Sequence, residues 1–220
     1  MSKNKLARFE ENNTFPNLFQ HTGYGPGKTF FPLKGNWNKD YFKNDNPVTL
    51  ELGCGKGEYT IALSRNFPDR NYIGIDRKGA RLWRGCKNAL ESELNNVAFL
   101  RIGIDNIAFY FAPGEVSEIW ITFPDPQPKK ERRRLTSPNF IERYKQVLAK
   151  GGSINLKTDS RELYEYTLET ARDQNWTIHE NIDDVYARDN IPFLTGIQTF
   201  YEKIWLGEGK KIHYIKFSVS

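Results

Sequence analysis

Cysteine is scarce: Cys54 and Cys86 are the only two in 220 residues. They form no Cys-x-x-Cys pair and have no histidine pairs nearby, which excludes a cysteine–histidine zinc site and points to a reducing compartment. Two small, semi-buried thiols account for them. No apolar run is long enough to span a membrane. The polar, charged N-terminus is not a signal peptide. The expected location is therefore the cytoplasm, with no membrane contact and no metal. Internal repeats and low-complexity tracts are also absent. The charge excess is modest, 32 Lys and Arg against 27 Asp and Glu, and bears on a polyanionic partner only where it is clustered. The length suffices for a core without staples and favours one domain.

What is present centres on Val48 to Thr60, reading Val-Thr-Leu-Glu-Leu-Gly-Cys-Gly-Lys-Gly-Glu-Tyr-Thr. An apolar, β-branched start suits a buried parallel strand. Gly53, Gly55 and Gly57 then alternate, and Tyr59 to Phe67 reads as a helix. A strand, a glycine turn and a helix build a ligand crevice at the carboxyl end of a sheet. The spacing is not Gly-x-Gly-x-x-Gly, because Glu58 stands where that fingerprint needs glycine, nor is Lys56 followed by the Ser or Thr of a P-loop. With Glu51 in the strand, acid-x-Gly-x-Gly-x-Gly resembles the first motif of class I S-adenosylmethionine methyltransferases. A tight turn without a ligand is the plainer alternative. The acid weighs against it, since a buried carboxylate without a partner is costly.

Residues 1–47 show no long period and read as an irregular N-terminal arm with a short amphipathic segment or two, packed against the domain that spans 48–220. Gly23 to Lys28 reads as a turn or loop. Asn71 to Ile75 is a second buried strand, ending in Asp76 about 20 residues beyond the glycine turn, where an acid accepts hydrogen bonds from ribose. The alternative for Asp76 is a helix cap before Arg77 to Glu93. That helix brings Arg77, Arg81 and Arg84 near one face, either solvated or facing RNA. Val97 to Ile102 is a third strand, followed by Asp105, and Glu118 to Thr122 is a fourth.

Phe123 to Leu135 follows directly. Pro124, Pro126 and Pro128 keep it from becoming helix and hold Asp125 at the end of the fourth strand. Five cations then fall within six residues: Lys129, Lys130, Arg132, Arg133 and Arg134. Beside a crevice, such a cluster reads as a phosphate contact. Gln127 breaks the pattern of adenine-N6 methyltransferases.

Taken together, Lys34–Asn38, Glu51–Gly57, Gly74–Asp76, Pro124–Pro126 with Arg133–Thr136, Gly151-Gly152, Lys157–Asp159 and Thr199–Glu202 resemble, in order, the motifs of the bacterial tRNA (guanine-N7)-methyltransferase family. The chain departs from that family at three places. Gln127 stands for a usual Trp, the basic loop is about two residues shorter and lacks a histidine, and the acid after the third strand usually falls slightly earlier than Asp105. The resemblance implies transfer of a methyl group from S-adenosylmethionine to N7 of a guanosine in the variable loop of tRNA. It implies a cofactor site of Glu51, Gly53, Gly55, Asp76, Asp105 and Asp125, with Asp125 catalytic. It places Lys129, Asp159, Thr199, Phe200, Tyr201 and Glu202 at the guanosine, and Lys130, Arg132, Arg133 and Arg134 on the RNA backbone. On the residues alone, Asp159 reads as a helix cap and Glu202 as a surface acid paired with a lysine.

The remaining elements are a helix over Pro138 to Leu148 closed by Gly151-Gly152, a fifth strand over Ser153 to Thr158 and a helix over Arg161 to Asp173. A strand over Trp176 to Ile182, a helix over Ile197 to Leu206 and a last strand over Ile212 to Val219 follow. The expected fold is the α/β, Rossmann-like, doubly wound sheet of class I methyltransferases, with seven strands and the last antiparallel. Two further readings stay open: a methyltransferase of another RNA or of a small molecule, and a non-catalytic protein that binds S-adenosylmethionine and RNA. The quaternary state is left as monomer or homodimer.

Overall fold

The sheet is built outward from β2, Val48–Leu52, whose five residues are all buried. The computed structural model describes residues 3–20 and 31–219, so the loop expected at Gly23 to Lys28 lies outside the described residues. β2 pairs in parallel with β3 (Asn71–Ile75) and β5 (Val116–Thr122). β4 (Val97–Leu100) extends the sheet beyond β3, and β6 (Leu148–Thr158) extends it beyond β5. β7 (Thr177–Ile182) forms the far edge, and β8 (His213–Ser218) lies between β6 and β7, antiparallel to both. The eighth strand, β1 (Leu18–Phe19), adds a short parallel edge to β4. The order is β1-β4-β3-β2-β5-β6-β8-β7. Seven of these strands and the antiparallel last one match expectation. The additional strand is two residues long, too short to show a pattern in the sequence.

Strand residues alternate between two cores. Leu50, Ile73, Ala98 and Ile119 face one side, packed with Trp37, Phe111, α4 (Pro138–Lys145) and α5 (Arg161–Asp173). Tyr72, Val97, Phe99 and Trp120 face the other, packed with α2 (Glu58–Asn66) and α3 (Gly79–Glu91). The arm preceding β2 holds α1 (Lys3–Glu11) and a π-helical turn over Trp37–Phe42. Trp37 is fully buried, donates to the Tyr110 carbonyl at 3.1 Å and stacks on Phe111. α1 docks on α3 through the Trp83 indole N–H, which donates to Glu11 at 2.6 Å, and through Asn12, which donates to the Gly79 carbonyl.

The helix expected to reach Leu148 stops at Lys145, because Leu148 already pairs with Val116 in the sheet. Gly151 (φ +77°) therefore sits in an irregular stretch of β6 rather than capping a helix. Near the C-terminus, α6 (Pro192–Thr195) is short, and α7 covers Phe200–Gly207, starting three residues later than expected. Its start is fixed by a capping box in which the Thr199 side chain accepts from the Glu202 N–H and Glu202 accepts from the Thr199 N–H.

Candidate active site

Gly53, Gly55 and Gly57 all adopt positive φ, but they do different work. A Cβ on Gly57 would meet the Phe99 ring at 2.5 Å, so Gly57 lets α2 pack on the sheet. A Cβ on Gly53 or Gly55 would meet nothing within 4 Å. Those two glycines face open space at the carboxyl end of β2, as a cradle for a ligand requires.

The space is a cavity of about 100 Å³ walled by Glu51, Gly53 to Lys56, Glu58, Tyr59, Arg81, Thr122, Phe123 and Thr199 to Tyr201. The N-terminus of α7 borders it: the Phe200 N–H donates to Glu58 at 2.7 Å, and Lys56 lies 5.2 Å from the Phe200 ring centre. The cavity is open to solvent, and the exposed rings of Phe200 and Tyr201 stand at its rim.

Glu51 is buried at the cavity floor. It accepts from the Thr60 N–H at 2.8 Å, from the Thr60 hydroxyl and from the Thr122 hydroxyl at 2.6 Å. Burial pushes its carboxyl up to about 7, against the hydrogen bonds of Thr122 and Thr60, which hold it down. Asp76 accepts from the Gly55 N–H at 3.1 Å and from the Lys78 N–H at 2.8 Å, so it fixes the glycine turn. The Tyr59 hydroxyl is buried with no hydrogen-bond partner among the described residues.

Asp125 is exposed on the loop after β5 and accepts from the Gln127 N–H at 3.1 Å. The residues bracketing this turn, Phe123 (φ +46°) and Gln127 (φ +47°), are non-glycine residues in the left-handed region. Such strain gathers at functional sites. Lys129, Lys130, Arg132 and Arg133 are exposed around a shallow concavity.

Arg134 differs from its basic neighbours. It is 2% exposed, donates to the Pro126 carbonyl at 3.1 Å, pairs with Glu162 and lies 4.3 Å from the Tyr166 ring centre. It therefore supports the Asp125 loop from within and has no free face for a phosphate.

Glu202, expected at the guanosine, is also turned inward. It is fully buried, pairs with Lys157 at 2.6 Å and accepts from the Tyr186 hydroxyl at 2.9 Å. Lys157 also donates to the Leu194 and Ile197 carbonyls. Burial lowers the Lys157 pKa, opposed by Glu202. This buried cluster ties the segment from α6 to α7 to the sheet and so places Thr199 to Tyr201 at the cavity.

Asp159 does not cap α5, because Ser160 accepts the Leu163 N–H instead; Asp159 lies 3.6 Å from Lys210. Asp105 is not brought to the cavity. It is exposed 3.8 Å from Arg143 and lines a different concavity of about 720 Å³ with Lys34 and Phe109. It sits in the 3-10 turn Ile104–Phe109, past the end of β4.

The residues missed by sequence reasoning are Thr60 and Thr122 beside Glu51, Arg81 in the wall, and the Lys157–Tyr186 pair around Glu202. A lysine inside the buried run Ile154 to Thr158 was a readable signal of a paired charge, and Thr-x-x-Glu at 199–202 was a readable capping box. Among the described residues, no cluster of His, Cys, Asp and Glu could hold a metal ion, and no helix is long and apolar enough to cross a membrane.

The fold and cavity define a class I S-adenosylmethionine-dependent methyltransferase. Residues 45–215 match the Methyltransf_4 family model, described as "Putative methyltransferase". Among solved structures, a 16S rRNA methyltransferase, KamB, superposes with a TM-score of 0.65 at 15% identity, covering 88% of this chain and 95% of that one. An antibiotic-related methyltransferase gives 0.62 at 18% identity, covering 87% and 96%. These two share the fold. Curated relatives are more specific. The tRNA (guanine-N(7)-)-methyltransferase of Christiangramia forsetii is 52% identical, covering 99% of both chains. That of Bacteroides fragilis is 47% identical, covering 99% of this chain and 86% of the relative. The chain belongs to the tRNA (guanine-N7)-methyltransferase family.

Proposed function

We propose that this chain methylates N7 of a guanosine in the variable loop of tRNA, using S-adenosylmethionine. The observation that carries the reading is the open glycine cradle at the end of β2, set beside the strained Asp125 turn and its exposed basic flank. Full-length relatives named for this activity support it.

Glu51, Gly53, Gly55 and Asp76 hold the cofactor, and Asp125 borders it. Bound there, S-adenosylmethionine supplies a sulfonium methyl group already activated for transfer. Guanine N7 carries a lone pair and no proton, so the chain need supply no general base. Its task is alignment. The base becomes cationic on methylation, and Asp125, accepting from the guanine N1 and N2 edge, stabilises the growing charge. Lys129, Asp159, Thr199, Phe200 and Tyr201 surround the guanosine. Lys130, Arg132 and Arg133 contact the backbone, while Arg134 and Glu202 act by positioning the loop and the α7 wall.

The test is nucleoside mapping after incubation with tritiated S-adenosylmethionine and undermodified tRNA. Label in N7-methylguanosine from the variable loop is expected. Label in any other nucleoside, or cofactor binding without transfer, overturns the assignment.

A further inference from the structure

The loop after β5 supplies one positive group at the crevice mouth. A second stands on the opposite side of β2. Arg77 and Lys78 follow β3, and Arg81 and Arg84 lie on α3; all four are exposed. Lys56, in the glycine turn, is exposed as well. Arg81 and Arg84, at i and i+3 on α3, share one face, and Arg77 and Lys78 lie in the connection that leads into the helix. Arg81 reaches the cofactor cavity itself, so the stripe runs into the crevice.

None of these five cations forms an ion pair among the described residues. Lys87, one turn beyond Arg84, does, with Glu11 at 3.3 Å. The acids nearest the stripe are also committed elsewhere: Glu58 accepts from the Phe200 N–H, and Asp76 from Gly55 and Lys78. Like charges at helical spacing destabilise a helix, so packing does not account for the stripe. Its outer end is organised instead. Arg8 from α1 and Arg84 lie 4.6 Å and 5.7 Å from the Trp83 ring centre, and the Trp83 N–H is held by Glu11.

We propose that Lys56, Arg77, Lys78, Arg81 and Arg84 form a second phosphate-contact surface for tRNA. β3 and β5 flank β2 on either side and run parallel to it, so their carboxyl-end connections border the crevice from opposite sides. The RNA bridges the crevice between the two basic groups and presents its base between them. The inference rests on tRNA being the substrate.

The experiment compares two triple variants in fluorescence-anisotropy titrations of undermodified tRNA over a potassium chloride series. One is Arg77→Ala/Lys78→Ala/Arg84→Ala. The other, Lys39→Ala/Lys43→Ala/Lys150→Ala, removes the same charge from exposed positions before β2 and near the start of β6. The stripe variant should lose about tenfold or more in affinity, with its log–log salt slope shallower by about 2 to 3. The control should keep the wild-type slope, and calorimetry should show unchanged cofactor affinity in both. Arg84→Glu alone, a single surface change, should weaken tRNA binding in the same direction. Equal losses in the two triples, or an unchanged slope in the stripe variant, overturn the second surface. A wild-type protein that binds and methylates tRNA in that result leaves the methyltransferase reading standing; one that does neither removes tRNA as substrate.

Discussion

Replacing Glu51 by Gln removes a carboxylate that the fold holds at some cost. Glu51 is 3% exposed and accepts three hydrogen bonds from Thr60 and Thr122. The glutamine fits the same place: its carbonyl accepts from Thr60, and its amide donates to the Thr122 hydroxyl, which can turn to accept. In the unfolded chain the acid ionises near 4.5, and in the folded chain near 7. Between those values the folded state binds more protons than the unfolded one, so stability falls as pH rises through the window. The rise corresponds to about 3 kcal/mol lost by pH 8. Glu51→Gln does not titrate and escapes that loss. Urea unfolding at pH 5 and pH 8 should show the variant gaining on the wild type by up to about 3 kcal/mol at the higher pH, while calorimetry shows weaker binding of S-adenosylmethionine. A stability difference that does not change between pH 5 and pH 8 would refute the raised ionisation of Glu51.

Tyr59→Phe removes the buried, unpartnered hydroxyl. Stability should hold or rise, because the donor is buried unpaired; a loss of more than about 1 kcal/mol in urea unfolding would refute that. Arg134→Ala leaves the Pro126 carbonyl without its donor and should cost about 2 kcal/mol in thermal unfolding, with catalysis falling and the salt slope of tRNA binding unchanged. A reduced slope would return Arg134 to the phosphate contacts. Lys157→Met strands the buried Glu202 and should cost roughly 3–5 kcal/mol, much of it recovered in Lys157→Met/Glu202→Leu. A single-variant cost below about 1 kcal/mol would deny the clamp its role.

β2, β3 and β4 were legible as short, wholly buried runs and β8 by its alternation, and β3 and α5 have the expected limits, Asn71–Ile75 and Arg161–Asp173. The cradle was legible for the same local reason: glycine spacing reports backbone shape. What the sequence hid is long-range. Glu51 finds Thr122 across 71 positions, and Glu202 finds Lys157 across 45. Arg134 looks like its neighbours Arg132 and Arg133 until Glu162 and Tyr166 of α5 close over it. The position of Asp105 after β4 did not reveal that its side chain lies by Arg143 of α4. The arm before β2 hid its two-residue strand, which pairing with β4 defines, whereas its helix α1 falls among the short amphipathic segments expected there.

The proposed mechanism turns on Asp125, one carboxylate on a strained turn that reads the guanine and steadies its developing charge. Asp125→Asn keeps size but turns one acceptor into a donor facing the ring's own donors. Single-turnover methylation of undermodified tRNA, at saturating S-adenosylmethionine and tRNA, separates that step from binding. The rate of N7-methylguanosine formation should fall about 10²-fold or more, with tRNA affinity little changed because phosphate contacts dominate it. A near-normal single-turnover rate would contradict the claim.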